Sequence, residues 1–241
     1  MKRLINNKYR FIYYPLPKAA CGNLRRWYLI TMGIMPIDDM NGKNIATGIM
    51  ANKISSNVFR NISKNELSKY FKFAFVRNPY ARIVSAYCHK FVTQINVPTC
   101  PSRSVIEEIE GSFCENHKVT FRDFVMYIAN TPLPKLEEHW KPLYVQIPYR
   151  KLDFIGKIEN IDNDFAYIIK LLSINEHKIS WGRNITNYND DKIFVGNKRI
   201  EYFRQSGSFP KWKYFYNKEL RRKIYNVYKM DFDIFNYKEI K

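Results

Sequence analysis

Three short runs of β-branched and aromatic residues punctuate this chain, and a stretch with helical repeat follows each. The runs are Arg-Phe-Ile-Tyr-Tyr at 10–14, Tyr-Phe-Lys-Phe-Ala-Phe-Val at 70–76 and Leu-Asp-Phe-Ile-Gly-Lys-Ile at 152–158. Polar or Pro-containing segments bound them, so they predict short, buried strands. Leu24, Trp27, Tyr28 and Thr31 share one helical face after the first, Ile83, Ala86, Tyr87 and Phe91 after the second, and Phe165, Ile168, Ile169 and Leu172 after the third. Two more stripes predict helices: Phe121, Phe124, Val125 and Ile128, and Leu220, Ile224, Val227 and Tyr228 with Lys and Arg on the opposite side. Thr120 precedes the former, with Asp123 three residues on, the spacing of a reciprocal cap.

Strands alternating with helices predict an α/β layer around a largely parallel sheet. Segments 93–119 and 174–215 lack a sustained repeat and are polar, as long functional loops or insertions are. No repeat, low-complexity tract or linker divides the chain, so residues 1–241 are expected to form a single domain.

Composition narrows the partners. With 46% hydrophobic residues, 17 Phe and 18 Tyr, the chain is too apolar for disorder. Forty Lys and Arg against 22 Asp and Glu give a formal charge of +18. Such a field favours nucleic acid, anionic lipid, acidic polysaccharide or a phosphate-rich cofactor, or is simply a solvated basic surface. Cys21, Cys88, Cys100 and Cys114 form no Cys-x-x-Cys pair and have no zinc-type spacing, so no metal is expected and a reduced compartment is the simplest fit. Residues 1–9 lack the apolar core of a signal peptide, and no run of 18 apolar residues occurs, so neither a secretion signal nor a transmembrane segment is expected. The Asn-x-Ser/Thr triplets at Asn61 and Asn184 then read as chance matches.

The chemistry concentrates at two strand-to-helix turns, where parallel sheets bind ligands. Residues 15–23 read Pro-Leu-Pro-Lys-Ala-Ala-Cys-Gly-Asn. Ala19, Ala20 and Gly22 let a phosphate approach the backbone and Lys18 adds a full charge; the plainer alternative is a surface Lys beside an ordinary helix start. No Walker A pattern is present. At the second turn Arg77 leaves the strand, Pro79 starts a helix and Ser85 lies one turn beyond Arg82. Arg77 suits a bidentate phosphate grip with a Ser85 hydroxyl beside it, while Arg77 and Arg82 as salt-bridge formers remain the alternative. Two anion-binding turns on neighbouring strands predict a ligand with two separated phosphates.

"PLPKAACGNLRRW" resembles the 5′-phosphosulfate-binding motif, and "KFAFVRNPYARIVSAYCHKF" the 3′-phosphate-binding motif, of carbohydrate sulfotransferases, nearest to the Golgi chondroitin and dermatan 4-O-sulfotransferase group. The likeness continues in order through "FRDFVMYIA", "EEHWKPLYVQIPYRKLDFIGKIENIDNDF" and "LRRKIYNVYKMDFDIFNY". It implies a parallel-sheet, P-loop nucleotide-kinase-like α/β fold with helices on both faces. It also implies transfer of the sulfuryl group of 3′-phosphoadenosine-5′-phosphosulfate (PAPS) to a hydroxyl of a carbohydrate, acidic or neutral. By the same resemblance Lys18, with Ala19, Ala20, Cys21, Gly22 and Asn23, meets the phosphosulfate, and Arg77 and Ser85 hold the 3′-phosphate.

The acceptor hydroxyl needs a base. His139 matches the family's His-Trp-x-Pro segment and is the first choice, with Glu138, Glu137 and His89 in reserve; a structural or acceptor-binding histidine is the alternative. Trp140 and Trp27 are candidates to stack on adenine or sugar, although Trp27 fits the core stripe better. Arg25 and Arg26 are placed to reach phosphate or solvent, and Lys157 and Glu159 either face the cleft or form a solvated pair. Two departures stand out. Gly22 replaces the Thr or Ser of relatives, and "VQIPY" at 145–149 stands where they carry Cys-x-Pro-Cys. The first removes a hydroxyl contact to the phosphosulfate and leaves it to backbone N–H groups, whereas the second, with no anchor expected, fits a cytoplasmic enzyme. The rivals are a non-catalytic polyanion-binding protein, with nucleic acid the less favoured ligand, and an ATP-dependent phosphotransferase, which the missing Walker A pattern disfavours.

Overall fold

A computed structural model of the chain describes residues 2–35, 46–60, 62–113, 118–174, 188–189 and 192–240. The chain divides into two compact units, Met1–Arg77 with Leu143–Arg183, and Asn78–Pro142 with Asn184–Lys241.

The first unit is built on a four-stranded sheet in the order β1-β2-β3-β4, formed by β1 (Leu4–Asn6), β2 (Phe11–Tyr14), β3 (Phe71–Val76) and β4 (Phe154–Lys157). β1 runs antiparallel to β2, whereas β2, β3 and β4 are parallel, with Tyr13 opposite Phe73 and Val76 opposite Lys157. One face carries Leu4, Phe11, Tyr13, Phe73 and Phe75, which pack with α1 (Cys21–Thr31), α2 (Ala46–Arg60) and α7 (Ile161–Leu171). Trp27 stacks on Phe11 at 5.1 Å and meets Phe165 edge-on at 5.2 Å, so it is a core residue as its stripe predicts. On the other face Ile12, Ala74 and Val76 are buried as well, which explains why β3 ends in an unbroken apolar run. Gly156 in β4 lies under the Phe75 ring, where any Cβ would overlap it. The edge strand β1 is tied down by polar groups: Ser55 accepts from the Ile5 N–H at 3.0 Å and donates to the Arg3 carbonyl at 2.8 Å, and the buried Asn6 amide donates to Thr31 at 2.9 Å. A short α3 (Lys64–Ser68) precedes β3.

The second unit is mainly helical. α4 (Pro79–Tyr87) passes into a π-helical turn at Cys88–Thr93, followed by α5 (Ser102–Glu110) and α6 (Phe121–Asn130); α8 (Ile200–Ser206) and α9 (Lys218–Ile234) complete it. Its core stacks Tyr87, Phe91, Phe121, Phe124, Trp140, Phe203 and Phe215. The capping box on α6 forms as predicted, Thr120 accepting from the Asp123 N–H at 3.2 Å and Asp123 from the Thr120 N–H at 2.9 Å. α9 breaks helical geometry at Tyr228. A two-residue parallel pairing joins β5 (Tyr188–Asn189) and β6 (Phe209–Pro210).

The segments read as loops need correction. α5 lies inside 93–119, and α8, β5, β6 and a 3₁₀ turn at Trp212–Phe215 lie inside 174–215. α5 buries Val105 and Ile106 together with Ser102, a single turn of apolar contact and too short a stripe to stand out. No helix among the described residues is long and apolar enough to cross a membrane. Cys114, Asn61, Asn184, His117 and His177 lie outside the described residues.

Candidate active site

The loop after β2 holds two non-glycine residues in the left-handed region, Lys18 at φ 65° and Ala20 at φ 55°. Each such residue costs about 1–2 kcal/mol, strain that persists only where surrounding contacts over-determine the backbone. Here Ala19 between them is fully buried and its N–H donates to the Leu16 carbonyl at 3.3 Å. A left-handed residue leading into right-handed helical ones is the backbone pattern of an anion-binding nest. α1 begins there without a side-chain cap, and its first helical bond is Leu24 N–H to Ala20 carbonyl at 3.1 Å. The N–H groups of Cys21 and Gly22 precede that bond and have no intrahelical acceptor. Gly22 is exposed with open space around its Cα, so neither φ nor crowding demands glycine. Asn23 is half-buried, and the Arg25 guanidinium lies 4.0 Å from the Cys21 sulfur. Beneath them the buried Tyr13 hydroxyl has no hydrogen-bond partner among the described residues. Burial raises its pKa and the Cys21 thiol adds to that, while Arg25 opposes it, so the hydroxyl stays a donor. In the sequence nothing sets Tyr13 apart from the other aromatics of its strand.

Arg77 follows the carboxyl end of the neighbouring β3. It is half-buried, yet makes no hydrogen bond or ion pair with a described residue, so the salt-bridge alternative does not hold for it there. The second turn differs from expectation at its backbone. Asn78 caps α4, accepting from the N–H groups of Tyr80 at 3.0 Å and Ala81 at 3.4 Å, and Pro79 has no N–H. Its helix start is therefore satisfied from within, and the turn offers an anion side chains rather than backbone. At the end of β4 the Lys157 N–H donates to Asp164 at 2.6 Å, and Glu159 sits exposed in a 3₁₀ turn. Lys18 and Arg77 thus follow two adjacent parallel strands, β2 and β3, and Lys157 is the last residue of the third, β4.

In the second unit Ser85 is half-buried on α4 and its hydroxyl has no partner among the described residues. Arg82, three residues earlier, is fully buried and bonds backbone: its Nη2 donates to the carbonyls of Glu138 at 3.2 Å and Lys141 at 2.9 Å. The segment it grips carries Glu137, Glu138 and His139, all half-buried. Glu137 Oε1 lies 2.8 Å from His139 Nδ1, and Oε2 accepts from the His139 N–H at 2.7 Å. Tyr228 donates its hydroxyl to the Trp140 carbonyl. Trp140 itself is buried against Phe91 and Phe124, so its candidacy as a stacking platform is withdrawn. His89 is half-buried in the π-helical turn. Glu137, Glu138 and His139 bring metal-ligand atoms within 4.8 Å of one another, a grouping the cysteine spacing does not reveal, although Nδ1 is engaged by Glu137. A cleft of about 630 Å³ beside α5 and α6, lined by Glu108, Asp123, Tyr127 and Lys135, includes none of the predicted site residues.

A model of the sulfotransferase family matches residues 2–238. Carbohydrate sulfotransferase 14 of Danio rerio is 30% identical over 183 residues, covering 72% of this chain and 49% of the relative. Carbohydrate sulfotransferase 12 of Mus musculus and carbohydrate sulfotransferase 11 of Rattus norvegicus are each 26% identical over 97% of this chain, and the chain spans 59% and 66% of their respective lengths. No solved structure matches.

Proposed function

Because the chain belongs to the sulfotransferase family, whose members use PAPS as sulfuryl donor, we propose that it transfers a sulfuryl group from PAPS to a hydroxyl of a carbohydrate acceptor. When bound, the donor supplies an activated sulfuryl group on a 5′-phosphate and a second phosphate at the 3′ position. The residues on hand fit such a ligand. The uncapped start of α1, with the backbone of Ala19, Ala20, Cys21, Gly22 and Asn23, suits the phosphosulfate, and Lys18 places a cation where negative charge builds on the leaving phosphate. Fixed positive charge and aimed N–H groups there stabilise the transition state more than the ground state. Gly22 brings no hydroxyl, so backbone donors carry that contact. Arg77 and Ser85 serve the 3′-phosphate as side-chain donors. His139 takes the acceptor proton, with Glu138 the second candidate. The carbohydrate acceptor is inferred from the names of the relatives, all carbohydrate sulfotransferases.

Arg77 carries this reading. A half-buried guanidinium with no partner among the described residues, at the carboxyl end of a central parallel strand, is matched to an anionic ligand. Calorimetric titration with adenosine 3′,5′-bisphosphate tests it. Wild-type protein is expected to bind in the micromolar range, on the order of −8 kcal/mol, and Lys18→Ala or Arg77→Ala to weaken binding by about 30-fold or more, roughly 2 kcal/mol. Undiminished binding in both variants, or equal binding of ATP with Mg²⁺, refutes it.

A further inference from the structure

Glu137 grips His139 at two points. One carboxylate oxygen lies 2.8 Å from Nδ1, the other lies 3.0 Å from Nδ1 and accepts from the His139 backbone N–H at 2.7 Å. A carboxylate only accepts hydrogen bonds, so the proton between them belongs to Nδ1. A neutral imidazole has one N–H, which leaves the lone pair on Nε2. No described residue bonds Nε2, and it is not among the buried side-chain nitrogens that lack a partner, so in a side chain 22% exposed that nitrogen has access to solvent.

The backbone around the pair is fixed independently. Arg82 holds the carbonyl between the two residues, that of Glu138, and the carbonyl of Lys141 two positions beyond His139. Tyr228 holds the carbonyl of Trp140, whose ring is locked in the aromatic core. Within the turn, the Trp140 and Lys141 N–H groups both return to the Glu137 carbonyl, at 3.1 and 2.8 Å. A loop with this many constraints sets the ring direction before any ligand arrives.

We propose that Glu137 is a positioning residue that keeps His139 in the Nδ1–H tautomer and presents Nε2 as the base. The assignment rests on the reading of His139 as the proton acceptor and adds what makes it competent. A proton taken from an acceptor hydroxyl goes to Nε2, and the ring, then cationic, faces the Glu137 carboxylate. Without that carboxylate the ring is free to carry its proton on Nε2 and leave its lone pair on Nδ1, turned away from the acceptor.

Long-range ¹H–¹⁵N correlation of the imidazole nitrogens in the full-length ¹⁵N-labelled protein reads the tautomer directly and needs no acceptor. His139→Gln assigns the resonances. The wild-type ring is expected as Nδ1–H in its neutral form, Glu137→Gln to lose that preference, and Glu137→Asp to restore part of it. An Nε2–H ring in the wild type overturns the proposal without any variant, as does an unchanged tautomer in folded Glu137→Gln. Titration of the same samples with adenosine 3′,5′-bisphosphate separates this from the donor assignment. Glu137→Gln is expected to bind within about twofold of wild type, whereas absence of binding in the wild type defeats the sulfotransferase reading and leaves the tautomer result standing.

Discussion

Replacing Arg82 by Met separates a structural clamp from a phosphate ligand. The guanidinium is fully buried and supplies two hydrogen bonds to carbonyls 56 and 59 residues away in sequence. Hydrogen bonds from a charged donor contribute about 1.5–3 kcal/mol each, and carbonyls left unpaired in the interior add their desolvation cost. Arg82 also faces the buried Tyr228 hydroxyl, on which the Asp231 carboxylate acts with opposite sign, so its loss leaves the local negative charge less compensated. Met fills similar volume, which keeps a cavity out of the comparison. Together these give an expected loss of at least about 3 kcal/mol, a large share of the roughly 5–15 kcal/mol that holds a typical domain folded. Urea unfolding followed by tryptophan fluorescence and circular dichroism measures it. Arg82→Lys retains the charge without the planar fork and is expected to recover about half. In both variants that remain folded, affinity for adenosine 3′,5′-bisphosphate should stay near wild type. A stability loss below about 1 kcal/mol, or a tenfold drop in affinity in folded Arg82→Lys, defeats the clamp assignment.

Gly156→Ala drives a methyl into the Phe75 ring in a packed sheet, with an expected cost of about 1–3 kcal/mol, and Phe75→Leu in the same chain should return part of it; additive losses in the double variant argue against the contact. Alkaline pH should unfold the protein cooperatively. Burial raises the Tyr80 hydroxyl to about 12 and pushes Tyr13, Tyr87 and Tyr216 well above their ordinary value of 10.0. Above pH 10 the unfolded chain releases protons that the folded one keeps, so stability is complete below that pH and falls as pH rises toward 12, by up to roughly 1.4 kcal/mol per pH unit for each such tyrosine. The share of the tyrosinate absorbance owed to these four buried hydroxyls should appear only with loss of circular dichroism; complete titration of all the tyrosines near pH 10 with native dichroism retained contradicts this.

The elements that sequence predicts are those with large apolar side chains on a regular repeat. Runs 10–14, 70–76 and 152–158 contain β2, β3 and β4, and the stripes at Leu24, Phe121, Phe165 and Leu220 fall in α1, α6, α7 and α9. β1 escaped because three residues are too few for a period, and α2 because its described buried positions are Ala51 and Ser55, small or polar side chains that serve a helix close to a strand edge. The site divides along the same line. Lys18 and Arg77 follow strands that hydrophobicity reveals, whereas the work of Arg82 is done on carbonyls in a distant loop, and no residue type announces a carbonyl as a partner. Glu137 stood in sequence as a spare base two residues from His139; only the turn linking them makes both its oxygens converge on that histidine.

The sheet order has a consequence for how the protein is made. β4 pairs with β3, yet residues 77–153 are synthesised between them. At about 5–20 residues per second the ribosome spends roughly 4–15 s on that stretch. Throughout it, Phe73 to Val76 present an apolar strand with one side open, the kind of edge on which nascent chains add a stranger's strand. A fragment ending at Pro142 carries that open edge permanently, so shortened versions of this protein should aggregate where the whole chain does not, and slower chain elongation should lower the soluble yield of the whole.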